Sequence, residues 1–119
     1  MHMITVITGY IDELKKENDS FILPETALHP DERVDFAIDI MKKANENIII
    51  YTYDVFIIET IMMLGQRNPA QVSIFIKEKE QDVKKISIDD IGMVYENLSR
   101  AFDKIDKIKS ENLFLKLGV

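Results

Sequence analysis

The chain has 119 residues, of which 46% are hydrophobic and 30% charged, and its formal net charge is −6. This length predicts one domain over residues 1–119, and the composition is typical of a globular protein rather than of a disordered tail. The absence of cysteine excludes disulfides, thiol nucleophiles and cysteine-based zinc sites. The acidic charge disfavours autonomous nucleic-acid binding, because a polyphosphate backbone would be repelled, and it favours a protein partner instead.

The first quarter of the chain predicts a strand, a short helix and a second strand. The β-branched run from Ile4 to Thr8 predicts a buried strand that ends at Gly9. A short helix is expected over 11–18 and a second strand over 20–23, which Pro24 stops. No stretch matches a membrane span or a secretory signal, so we expect a cytoplasmic protein without membrane contact.

The middle of the chain predicts two further helices around a strand. Pro30 opens an amphipathic helix whose apolar residues recur at spacings of three and four. The continuous apolar run over 48–52 is typical of a central parallel strand covered on both faces. Asp54 is a plausible N-cap for a helix from 55 to 64, and Gly65 would close that helix at C′.

The last part of the chain predicts a hairpin and a long helix. Alternation over 72–76 indicates a strand, and 83–88 returns as an edge strand protected by lysines. The helix beyond it carries an apolar stripe from Ile91 to Ile108, which we expect to face the core. The order of elements predicts an α/β protein with a small three-layer parallel sheet, helices on both faces, a C-terminal β-hairpin and a long helix.

One segment resembles a known group of proteins. The stretch from Pro24 to Pro30, PETALHP, looks like the segment after the Walker B strand in ABC-type ATPases of the OLD-nuclease, SMC and related AAA-like groups. The stretch from Ile48 to Glu59, IIIYTYDVFIIE, is similar to their next strand, which ends in Thr-His-Ser and enters a helix. The resemblance covers roughly residues 20–88 and implies a P-loop NTPase-like fold.

The departures from that pattern bear on activity. The two acidic positions before Pro-Glu hold Ile22 and Leu23, and the histidine that senses the γ-phosphate is replaced by Tyr53. No Gly-x-x-x-x-Gly-Lys-Ser/Thr loop and no ABC signature occur anywhere in the sequence. The resemblance therefore implies a pseudo-ATPase without catalytic residues, cofactor or metal.

Two origins fit residues 4–18. They are either the phosphate-loop strand and its helix with the loop removed, or a remnant of the signature helix that precedes the Walker B strand. In the second case a central strand is missing and a partner or dimer would complete the sheet. The strand composition of Ile4 to Thr8 favours the first origin.

Few residues are candidates for a ligand site. Glu25, Thr52 and Asp54 could hold a residual Mg²⁺ or nucleotide at the carboxyl ends of parallel strands, although Asp54 is better explained as a helix cap. Glu25 is better explained as an exposed residue at a strand end. His29 is expected to make a hydrogen bond within its turn rather than to bind metal.

The chain end offers a candidate interaction surface. Four of the five residues from 113 to 117 are apolar, and no capping pattern follows them. This terminal segment therefore either docks on the body or contacts another chain. The residues expected to bind a protein partner or a second copy are Leu113, Phe114, Leu115 and Leu117.

The sequence thus predicts a non-catalytic, ATPase-like binding protein that acts through protein–protein contact. An intact ABC- or OLD-type ATPase is one candidate partner, and a small chain of this kind would suit a phage or a mobile element. The alternative is a nucleotide-binding or hydrolytic domain completed by the phosphate loop of a partner.

Overall fold

The computed structural model describes residues 3–11, 28–43 and 46–118. The strands and helices follow in the order β1 (Ile4–Gly9), α1 (Pro30–Lys43), β2 (Ile48–Tyr51), α2 (Val55–Gly65), β3 (Val72–Lys77), β4 (Val83–Ile86) and α3 (Ile91–Leu117). A short 3-10 turn, Pro69–Gln71, precedes β3. The strand predicted over 20–23 lies outside the described residues, as does the helix predicted over 11–18 except for Ile11.

The described strands form one mostly parallel mixed sheet in the order β2-β1-β3-β4. β1 pairs in parallel with β2 and with β3, whereas β4 runs antiparallel to β3. The α/β class and the C-terminal hairpin are therefore confirmed. β2, which was predicted as a central strand, lies at one end of the sheet in the described part of the chain.

One face of this sheet carries the hydrophobic core. The strand register brings alternate residues of each strand to this face, as the period of two in a strand requires. The apolar side chains on this face are those of Ile4, Val6, Ile48, Ile50, Val72, Ile74, Ile76 and Ile86. The three described helices add buried side chains to the same cluster, namely Ala37 from α1, Ile57, Ile58, Ile61 and Met62 from α2, and Val94 from α3. Burying each large aliphatic side chain contributes about 1.5–3 kcal/mol.

Two glycines stand where the backbone and the packing leave no space for a side chain. Gly9 has φ +95°, and a Cβ there would lie 2.2 Å from the carbonyl oxygen of Lys77. Gly65 was predicted to close α2 at C′, but it is the last residue of that helix, and Gln66 occupies the cap position. A Cβ on Gly65 would lie 2.7 Å from Cδ1 of Ile88, so packing rather than backbone conformation requires this glycine.

α3 extends well beyond the body of the protein. A helix of this length spans about 40 Å, and the principal extents of the molecule are 62 × 32 × 26 Å. None of the helices in the described part of the chain is long and apolar enough to cross a membrane.

Candidate functional site

The carboxyl ends of the parallel strands hold the buried polar residues of the described structure. Thr8 lies near the end of β1, Thr52 follows β2, and Lys77 is the last residue of β3. All three residues are buried. This edge is where open α/β sheets place ligands. The Nζ atom of Lys77 donates to the carbonyl oxygen of Glu78 at 2.7 Å. Within the described residues, no group of three or more histidine, aspartate and glutamate side chains could hold a metal ion.

Asp54 uses both carboxylate oxygens for structural contacts. Its Oδ1 accepts from the backbone N–H groups of Phe56 at 2.9 Å and Ile57 at 3.2 Å, which confirms the predicted N-cap of α2. Its Oδ2 lies 2.5 Å from Nη1 of Arg33 in a part-buried ion pair. Thr52 supports this arrangement, because its Oγ1 accepts from the backbone N–H of Asp54 at 3.0 Å. These contacts join α1, the end of β2 and α2.

The Leu-His-Pro turn caps the start of α1. Nδ1 of His29 accepts from the backbone N–H of Asp31 at 3.2 Å, which confirms the predicted hydrogen bond within the turn. A carboxylate oxygen of Glu32 accepts from the backbone N–H of His29 at 3.4 Å, so the pair resembles a capping box. Nε of Arg33 donates to the carbonyl oxygen of Leu28 at 2.8 Å and fixes this turn to the helix. Ile22, Leu23 and Glu25 lie outside the described residues.

A small cavity of about 190 Å³ lies between the end of β1 and α3. Lys79 and Arg100 line it together with Glu78 and Glu96, so acidic and basic groups oppose each other across the same space. Nη1 of Arg100 donates to the hydroxyl of Tyr10 at 3.3 Å. Such mixed charge gives the cavity no clear preference for an anion or a cation.

The first turns of α3 are anchored on the body. Asp90 caps the helix by accepting from the backbone N–H of Met93 at 3.3 Å, and Val94 is 2% exposed within the core. The hydroxyl of Tyr95 donates to Oε2 of Glu59 on α2 at 2.7 Å. This hydrogen bond to a carboxylate, together with desolvation and the negative charge of Glu59, raises the pKa of Tyr95 above its ordinary value.

The rest of α3 leaves the body, and here the expected inward stripe is wrong. Phe102, Ile105 and Ile108 are exposed by 48–59%, and every residue from Ser99 to Gly118 is exposed. The face that buries Val94 continues along the helix at the same spacing, but the body ends before it. The stripe therefore packs over its first turns only.

The predicted partner-binding residues lie in the last turns of this helix. Leu113, Phe114, Leu115 and Leu117 are exposed by 55–77%. The expectation that no cap follows them is also wrong, because Gly118 adopts a left-handed conformation with φ 75° and ψ 25°. The N–H of Gly118 donates to the carbonyl oxygen of Leu115 at 3.2 Å, so the helix has a defined end.

Sequence reasoning missed an apolar groove between α1 and α2. The groove has a volume of about 380 Å³, and its apolar lining consists of Val34, Ile38, Phe56, Met63 and Leu64. Glu59 and Thr60 complete the lining. The signal in the sequence is that α2 carries more large apolar residues than one core-facing stripe needs.

Comparisons of this chain with protein-family models, with curated proteins and with solved structures found no match. In the described part of the chain, the geometry is that of an α/β domain with two exposed apolar surfaces, the outer half of α3 and the groove between α1 and α2. Both surfaces are suited to binding protein segments.

Proposed function

We propose that this chain is a non-catalytic binding protein that acts through protein–protein contact made by the outer half of α3. The observation that carries the proposal is the run of large apolar side chains that α3 exposes after it leaves the body. Exposed apolar patches of this kind on a folded domain mark interaction sites, because leaving them in water opposes stability and solubility.

The resemblance of PETALHP and of the segment from Ile48 to Glu59 supports a finer proposal. In it the domain is a degenerate P-loop NTPase-like fold with three layers, and the head of an intact ABC- or OLD-type ATPase is a candidate partner. β1 supports the first origin of residues 4–18, because it is a strand flanked by parallel neighbours rather than part of a helix. The engagement of Asp54 in a cap and an ion pair supports a structural role for the second motif.

The test of partner binding compares two single substitutions on the outer half of α3. Ile105→Asp places a carboxylate in the apolar stripe, whereas Lys107→Asp places the same carboxylate on the opposite side of the helix, where the neighbours one turn away, residues 103, 104, 110 and 111, are all polar. Affinity capture from cells of the native host should recover a partner with the wild type and with Lys107→Asp, but not with Ile105→Asp. Equal recovery by all three proteins would contradict a contact through the stripe.

The alternative, a nucleotide-binding domain completed by a partner, draws on the buried polar residues at the carboxyl edge of the sheet. It predicts that Mg-ATP stabilises the chain. A ligand present at about 100 times its dissociation constant adds roughly 2.7 kcal/mol to the free energy of unfolding. We expect no change in melting temperature with millimolar Mg-ATP, and a clear rise would replace the pseudo-ATPase proposal with this alternative.

A further inference from the structure

We propose that the partner of the outer half of α3 is a second copy of this chain, and that it binds in the groove between α1 and α2. The tail is defined as residues 99–117, and the groove as Val34, Ile38, Phe56, Met63 and Leu64. In the resulting dimer each tail occupies the groove of the other copy, so the two contacts are identical. This inference rests on the proposed function, since it identifies the partner for the same surface.

The tail and the groove have complementary shapes and chemistry. The tail presents Phe102, Ile105 and Ile108 at spacings of three, which places them on one face of a helix. The groove is a depression of about 380 Å³ between two helices, and its residues Phe56 and Met63 are about half exposed. An amphipathic helix that lays its apolar face between two helices is a recurrent mode of recognition.

The charges of the two surfaces are also complementary. The tail carries five basic and three acidic residues, although the whole chain has a net charge of −6. α1 and α2 together carry five acidic and three basic residues. Asp31 and Asp35 are exposed and stand three residues before Val34 and Ile38. An acidic surface beside the groove and a basic excess on the tail favour association of two copies over a chance apolar contact.

A tail cannot occupy the groove of its own molecule. The hydrogen bond between Tyr95 and Glu59 holds the start of α3 beside its own groove. From there α3 continues without a break to Leu117, and no proline interrupts it. An unbroken helix does not turn back on itself, so the tail points away from the body. A second copy supplies the same groove, and a two-fold arrangement closes the pair.

The lengths of the two surfaces agree with this arrangement. The stripe from Phe102 to Ile108 extends about 9 Å along its helix, and the groove residues from Phe56 to Leu64 extend about 12 Å along α2. The stripe therefore fits within the length of the groove. Because the contact occurs twice in the dimer, each copy contributes one tail and one groove to the interface. A standard interface buries about 800 Å² on each partner.

The experiment measures association of the full chain by sedimentation velocity over a concentration series. Ile105→Asp is the tail variant, Met63→Asp is the groove variant, and Lys107→Asp is the control. Each altered side chain is exposed, so the monomer should remain folded, which circular dichroism checks. If Met63→Asp fails to fold, Phe56→Asp replaces it, because an acidic residue suits the first turn of α2.

We expect the wild type and Lys107→Asp to dimerise to a similar extent, because Lys107 faces away from the apolar stripe. The tail variant and the groove variant should each weaken dimerisation at least about tenfold, since a charge in an apolar contact costs well over 1.4 kcal/mol. A mixture of the two variants should associate more tightly than either alone. In the mixed pair the intact tail of the groove variant meets the intact groove of the tail variant. Raising the salt concentration should weaken the wild-type dimer.

Three results would overturn the inference. A wild type that stays monomeric at high concentration would exclude the second copy. Loss of association in the tail variant alone, with the groove variant unaffected, would indicate that two tails pair with each other. A mixture that associates no better than its components would exclude the reciprocal contact. If the wild type is monomeric but captures a host protein through Ile105, only this inference fails, and if it captures none, the proposed function fails as well.

Discussion

The two halves of α3 have the same apolar spacing but different surroundings. In the inner half, Val94 is almost fully buried against the core, and Tyr95 is tied to α2 by a hydrogen bond. In the outer half, Ile105 is 48% exposed although it continues the same helix face. The periodicity of a helix therefore defines a face but does not define what covers it.

The comparison also separates two sources of stability. The sheet, α1, α2 and the inner half of α3 share one hydrophobic cluster. A substitution that disturbs the packing of any of these elements therefore lowers the stability of the whole domain. In the monomer the outer half of α3 depends on its own helical hydrogen bonds and its caps. Substitutions matched in chemistry should therefore have very different effects in the two regions.

The largest expected effect is that of truncating a core isoleucine. Ile61→Ala removes a fully buried side chain of α2 and should lower the free energy of unfolding by about 2–5 kcal/mol. Ile105→Ala on the outer half of α3 should lower it by less than about 0.5 kcal/mol, because the side chain is already in water. Urea unfolding at low protein concentration measures both. Similar losses would show that the outer stripe is packed within the monomer.

The next largest loss of stability is expected from a substitution at one of two glycines with positive φ. Gly9→Ala should cost at least about 2 kcal/mol, since it adds a clash with the Lys77 carbonyl to the strain of the backbone. Gly118→Ala meets nothing within 4 Å, so it should cost about 1 kcal/mol or less. Thermal unfolding of the two variants gives the comparison. Equal shifts in melting temperature would contradict the tight approach of β1 to β3.

A smaller effect is expected at the junction of α1 and α2. Asp54→Ala removes the N-cap of α2 and the ion pair with Arg33, and it should cost about 1–2 kcal/mol. Asp54→Asn keeps an oxygen acceptor for the cap and should cost less than Asp54→Ala. Chemical denaturation distinguishes the two. A greater loss with asparagine than with alanine would contradict the capping role.

The smallest effect is expected at the boundary between the two halves of α3. Tyr95→Phe removes the hydrogen bond to Glu59 and should cost about 0.5 kcal/mol at neutral pH. Because the pKa of Tyr95 is raised in the folded state, its contribution is fully present below the ordinary tyrosine value of about 10. It should be lost as the pH rises through the folded pKa. The free energies of unfolding of wild type and Tyr95→Phe, measured by urea titration, should differ at neutral pH and converge at alkaline pH. A difference that stays constant with pH would contradict this linkage.

Local features of the chain were enough to predict most elements of its described part. β-branched runs predicted β1 and β2, the i, i+3, i+4 spacing predicted α1, and Asp54 was recognised as a cap, because these depend on residues close in sequence. The turn hydrogen bond of His29 was predicted for the same reason. The hairpin of β3 and β4 also followed from alternation and a short charged turn.

The position of each element in the fold depended on contacts between distant residues. The place of β2 at one end of the described sheet and the packing that requires Gly65 have no local signature. The exposure of Phe102 and Ile108 is also not predictable from residues close in sequence, because it depends on where the body ends under α3. Residue types and their spacing along the chain were enough to assign most of the described helices and strands and the apolar face of each. Which of those faces are covered depends on the tertiary structure, because burial is a property of surfaces brought together across the whole chain.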